Sequence, residues 1–72
     1  MTKRQRTVLD FIKKYWSKHK YAPSYEEIRV GLGMTSKSGV KLCVDRLVRG
    51  GWVTQVPHQA RSVVPTDKVI PE

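Results

Sequence analysis

Residues 24–51 read SYEEIRVGLGMTSKSGVKLCVDRLVRGG, and this stretch decides the fold. Ser24 followed by Glu27 has the spacing of a capping box, in which each side chain satisfies the other residue's free backbone N–H. Glu26 adds a second acid at the positive end of the helix dipole. Ile28 and Leu32 supply a short apolar face, and Gly33 can take the left-handed conformation that ends a helix. The pattern predicts a helix from about Tyr25 to Leu32. Only Gly33, Met34 and Thr35 separate it from Ser36, a second N-cap candidate. Val40, Cys43, Val44, Leu47 and Val48 then recur at helical spacing until Gly50-Gly51 stops the pattern. Two helices joined by so short a segment, with a glycine in it, have the spacing of a helix-turn-helix.

Upstream, Thr2 and Gln5 form another capping-box pair. Val8, Phe11, Ile12, Tyr15 and Trp16 follow as one helical stripe, predicting a first helix from about Lys3 to about Lys18. Its last turns carry Lys13, Lys14, Lys18, His19 and Lys20, cations at the negative end of the dipole. Pro23 marks the break after it. Downstream of Gly51 the period changes. Trp52 to Val56 and Ser62 to Pro65 are rich in β-favouring residues and flank PHQA, a turn-like segment, so a β-hairpin is expected. The last residues, TDKVIPE, hold too little apolar surface to fold alone. The expectation is therefore one mainly α domain with a small β-hairpin over residues 1–65, and a flexible tail over 66–72.

At 72 residues the chain is near the lower size limit for a single self-sufficient core. Its one cysteine, Cys43, allows no internal disulfide and reads as a small core residue. Fourteen Lys and Arg against six Asp and Glu give a formal charge of +8. Such an excess favours a polyanionic partner, nucleic acid before an anionic membrane surface. No signal-peptide pattern and no long apolar run is visible, so a soluble, cytoplasmic protein is expected, with no membrane role. His19 and His58 belong to no metal-ligand spacing, and Asp10, Glu26, Glu27 and Asp45 suit caps and solvated faces. Neither an enzyme nor a cofactor or metal site is expected.

Projected on a helix, Val40, Val44, Leu47 and Val48 face the core, with Lys37, Ser38, Lys41 and Asp45 opposite and Leu42 and Arg46 at the flanks. Ser36 to Arg49 carry four cations and one anion. The N-terminal half lacks a bulky exposed side chain before Lys41. That suits a helix pushed end-first into a DNA major groove, with small residues where backbone meets base edges and flexible donors behind. Serine and glycine are also ordinary in a first turn. Gly39, however, lies past the cap, where glycine costs roughly 0.5–1 kcal/mol relative to alanine, which favours a role in close approach.

These residues resemble a known family. Thr2, Arg4, Gln5, Val8, Leu9, Phe11 and Ile12, then Tyr21, Pro23, Ser24, Glu27, Ile28, Gly31 and Leu32, then Ser36, Ser38, Val40, Leu47, Gly51, Trp52 and Val53 follow the order and spacing of the winged-helix DNA-binding domain of LexA repressors. The likeness covers about residues 2–65. It implies a three-helix winged helix-turn-helix that binds double-stranded DNA, helix 3 in the major groove and the wing on adjacent backbone. It also implies base-reading positions at Ser36, Ser38, Gly39, Lys41 and Leu42, with Arg61 just past the wing tip. Lys41 and Leu42 depart from the acidic or small polar residues of some members, so the operator is not inherited. Lys20 and Ala22 replace the Gly and Pro usual in their loop. Repressors of this family also carry a second domain that dimerises and cleaves itself through a Ser–Lys dyad. No counterpart is seen in these 72 residues.

Together these readings place base contacts at Ser36, Lys37, Ser38, Gly39, Lys41 and Leu42. They place phosphate contacts at Lys3, Arg4, Arg6, Arg46, Arg49 and Arg61, at the N–H groups near Ser24 and Tyr25, and at His58 and Gln59 in the wing. Two copies on a two-fold site are expected, since one small module binds modestly. The rival reading is a winged helix that binds a regulatory protein through Leu42, with Tyr21 and Tyr25 extending the patch.

Overall fold

The computed structural model describes residues 2–56 and 61–67. It contains α1 (Lys3–His19), α2 (Tyr25–Leu32), α3 (Lys37–Arg49), β1 (Val53–Thr54) and β2 (Val64–Pro65). The strands pair antiparallel, Val53 opposite Pro65 and Thr54 opposite Val64. Three helices and a short hairpin make the winged helix-turn-helix that the sequence predicts.

Local chemistry sets the helix boundaries. At α1, the Gln5 N–H donates to Thr2 Oγ1 and the Thr2 N–H to Gln5 Oε1, each at 3.2 Å. At α2, the Glu27 N–H donates to Ser24 Oγ (3.1 Å) and the Ser24 N–H to Glu27 Oε1 (2.9 Å). Ser36 caps α3 through the Gly39 N–H. Gly33 (φ 66°) ends α2, and the Met34 N–H returns to the Arg29 carbonyl at 2.9 Å, the six-residue closure of a glycine-ended helix. The same closure ends α3, with Gly51 at φ 78° and the Trp52 N–H on the Leu47 carbonyl.

Val8, Leu9, Ile12, Ile28, Val40, Cys43, Val44, Leu47, Val53 and Val63 form the core, and Phe11, Trp16, Tyr25 and Trp52 pack against it. Two expectations are corrected. Val48 is 37% exposed and not part of the core, because at about 100° per residue it lies roughly a quarter turn from the centre of the Val40–Val44–Leu47 stripe. Leu9, outside the predicted stripe of α1, is fully buried, while Phe11, Tyr15 and Trp16 are only half-buried. The core-facing line of α1 is thus rotated toward Leu9. Gly31 lets α1 approach α2: a Cβ there would stand 2.4 Å from the Phe11 ring.

The hairpin ladder is shorter than its β-rich flanks suggest. Pro65 has no N–H to give, and beyond Thr54 the Val56 N–H and C=O are both taken by the Ser62 hydroxyl, at 3.2 and 3.1 Å. Trp16 Nε1–H donates to the Val63 carbonyl at 2.7 Å and fixes the hairpin to α1. The Thr66 N–H and hydroxyl both bond the Trp52 carbonyl. From residue 68 on, the expected tail lies outside the described residues.

Lys20 ends α1 at φ 65°, a left-handed conformation that costs a non-glycine residue about 1–2 kcal/mol. Lys20→Gly removes that cost but gains unfolded-state entropy. The expected net gain is roughly 0.5–1 kcal/mol, a rise in Tm of about 2–8 °C by thermal unfolding. An unchanged or lower Tm would contradict the strained cap.

Candidate nucleic-acid interface

α3 turns a shallow, polar side outward. Ser36, Lys37, Ser38, Lys41 and Leu42 are all exposed, and Leu42 shows 53% of its surface. Asp45, Arg46 and Arg49 continue this exposed side toward the C-terminus. Among the described residues no packing covers Ser38 or Lys41. Gly39 is half-buried, and a Cβ there would stand 3.3 Å from the Met34 methyl carbon. Its smallness therefore also serves the turn beneath it. The expectation that Lys37 opposes the core is corrected: at about 100° per residue it lies about 60° from Val40, on the side toward α2, with Nζ 3.4 Å from Glu26 Oε2. Glu26 also pairs with Arg29, and both cations hold its carboxyl below the usual range, Arg29 foremost.

The start of α1 meets the start of α3 across a cleft of about 520 Å³. Val8, Leu32 and Met34 contribute its apolar lining, and Lys3, Arg4, Thr7 and Ser36 are among its polar residues. No acid lines it. The sequence singles out Lys3, Arg4 and Ser36 separately. Their convergence is visible only in three dimensions, because α1 and α3 are far apart along the chain. The positive end of the α3 dipole, at Ser36 and Gly39, lies at the same cleft as these two cations. Among the described residues, Lys3, Arg4, Arg6, Arg46 and Arg49 are exposed and carry no ion pair.

The N-terminus of α2 is a different place. Ser24 spends its N–H and hydroxyl on the capping box, and the Tyr25 hydroxyl accepts a hydrogen bond from the Gln55 side chain. Glu27 also accepts from the Tyr15 hydroxyl at 2.7 Å and pairs with Arg61. The Ser24 backbone N–H, then Tyr15 and Arg61, hold the Glu27 carboxyl down at about 2. The neighbouring Tyr21 side chain and then Glu27 push the Tyr15 hydroxyl up to about 12. Arg61 donates to the Ala22 carbonyl at 3.2 Å, and its guanidinium carbon lies 5.2 Å from the Tyr21 ring centroid. His19 stacks on Tyr15 with centroids 4.2 Å apart. This partnership of Glu27 and Arg61, distant in sequence, left no signal in spacing or composition. His58 and Gln59 lie outside the described residues.

Among the described residues no group of three His, Cys, Asp or Glu side chains could hold a metal ion. No helix among them is long and apolar enough to cross a membrane.

Comparison with known proteins gives the arrangement a context. A family model described as LexA DNA binding domain matches residues 1–62. The chain is similar to the LexA repressor of Cereibacter sphaeroides, 33% identical over 63 residues that cover 88% of this chain and 28% of the relative. It is 35% identical to the LexA repressor of Pelagibacter ubique, again over 88% of this chain and 28% of the relative. With the LexA repressor of Syntrophomonas wolfei the identity is 37%, over 90% of this chain and 32% of the relative. The chain thus spans about a third or less of the length of these curated relatives.

Proposed function

Because the chain belongs to the LexA DNA-binding domain family, we propose that it binds double-stranded DNA sequence-specifically as the DNA-reading part of a LexA-like transcriptional regulator. α3 enters the major groove and the wing lies on the adjacent backbone. The observation that carries this reading is the unbulky, exposed start of α3 beside the cationic cleft of Lys3 and Arg4. Small residues admit the helix end, and cations behind it meet the flanking phosphates.

Within that reading, Ser38 and Lys41 are the direct base readers, with Ser36, Lys37, Gly39 and Leu42 at the same edge of the groove. Lys3, Arg4, Arg6, Arg46 and Arg49 bind phosphate. Ser24 and Tyr25 are left out of this set, because Glu26 and Glu27 make that turn acidic. Arg61 is left out because its charge faces Glu27. Two copies on a two-fold site supply the affinity one small module lacks, and the protein works at the nucleoid.

Titration with random-sequence duplex DNA over a range of salt tests the reading. With about four of these five cations on phosphates at a time, the slope of log K against log salt is near −3.6 per protomer, and about −4.5 if all five engage. Steep salt dependence supports DNA binding. No binding at low salt would favour the alternative, a regulatory protein partner docked on exposed Leu42.

A further inference from the structure

Glu27 and Arg61 join in a polar cluster with Tyr15, Ser24 and Ala22, and none of the proposed DNA contacts uses it. Arg61 begins the return limb of the hairpin in a left-handed conformation, φ 55°. Its guanidinium meets the Glu27 carboxylate, the Ala22 carbonyl and the Tyr21 ring at once. Glu27 is itself fixed twice, by the capping box at Oε1 and by the Tyr15 hydroxyl at Oε2. Next to Arg61, the Ser62 hydroxyl clasps both backbone groups of Val56, and Val63 is bonded to Trp16.

We propose that the Glu27–Arg61 pair is a latch that sets the position of the wing against the helices, so that both are positioning residues for DNA binding and not contacts to DNA. A lone exposed ion pair contributes little. Here the guanidinium is held by three different groups from the α1–α2 loop and α2, and its acid partner cannot swing away. Displacing Arg61 moves Ser62 and therefore the neck of the wing. Glu27 lies on α2, away from the reading side of α3, and acts on DNA only through where the wing stands. An arginine already matched by a carboxylate also neutralises less phosphate charge and so displaces fewer of the cations condensed on DNA.

The inference rests on the DNA-binding reading, and its test separates the two. Glu27→Gln retains a capping-box residue, since glutamine serves at that position, and removes the charge that faces Arg61. Arg61→Gln removes the other half. In the free protein, the latch predicts that both variants shift the amide NMR signals of Val56, Ser62 and Val63 while the signals of α3 stay in place. On the preferred duplex, each variant weakens binding threefold or more with the salt slope kept within about 0.3, and the double variant is no worse than the weaker single one. The proposal is overturned by a slope shallower by about 0.9 in Arg61→Gln, the mark of a phosphate contact. Tighter or unchanged binding in Glu27→Gln, or additive losses in the double variant, also overturns it. Should the parent chain bind no DNA, the broader reading fails, and the free-protein amide signals still decide whether the latch exists.

Discussion

Leu47→Ala is expected to cost about 2–5 kcal/mol of stability, the range for emptying a leucine site in a packed core. Leu47 is fully buried in the cluster that joins α1 and α3 to the hairpin, among Leu9, Ile12, Val44 and Val53. A domain of this length has roughly 4–11 kcal/mol in all, at about 0.05–0.15 kcal/mol per residue, so one such cavity removes a large part of it or all of it. The cavity persists because α3 packs on α1, α2 and β1 at once and cannot close the gap on one without leaving the others. Val48→Ala, one residue on, serves as the control: Val48 is partly exposed, and its truncation should cost well under about 1.5 kcal/mol. Urea unfolding of both variants measures the difference. Equal losses would mean that the inward face of α3 is not the Val40–Val44–Leu47 face, and the outward face argued for Ser38 and Lys41 would be lost with it.

What the sequence made legible follows a physical division. Caps are local: Thr2 with Gln5 and Ser24 with Glu27 each complete a bonding unit within four residues, and their spacing alone places the starts of α1 and α2. The glycines at 33 and 51 are equally local, since each ends a helix by taking a positive φ that other residues resist. The width of a buried stripe is not local. Whether Leu9 or Phe11 lies deeper depends on how α1 rolls against α3, and the periodicity of α1 fits both. Val48 is different: its place about a quarter turn from the Val40–Val44–Leu47 stripe follows from the helical period alone. The candidate site divides in the same way. The small residues at the start of α3 are visible in one stretch, but the cleft joins residues near positions 3 and 36. The Glu27–Arg61 pair depends on the hairpin folding back over the α1–α2 loop. Lys37 is placed by the period alone: at about 100° per residue it lies about 60° from Val40, beside the core stripe and not opposite it, where its ammonium reaches Glu26 of α2.

Lys41→Ala is expected to relax preference at one base position of the bound duplex, at a cost of about 1–3 kcal/mol there. Lys41 is exposed on α3, one turn beyond Lys37, and Lys37 pairs with Glu26 while Lys41 makes no ion pair among the described residues, Asp45 one turn on included. Its long stem and point charge suit guanine O6 and N7 in the major groove. A phosphate contact behaves otherwise. Arg49→Ala should weaken all sequences by a similar factor and make the salt slope shallower by about 0.9. Selecting preferred duplexes from a random pool, first with the parent chain and then with each variant, separates these behaviours. A base reader changes which sequences win, whereas a backbone contact changes only how tightly they are held. If Lys41→Ala returns the same winners and loses equally on selected and random duplexes, Lys41 lies on the backbone. Ser38, one turn back on the same side of α3, is then the residue left to carry the reading.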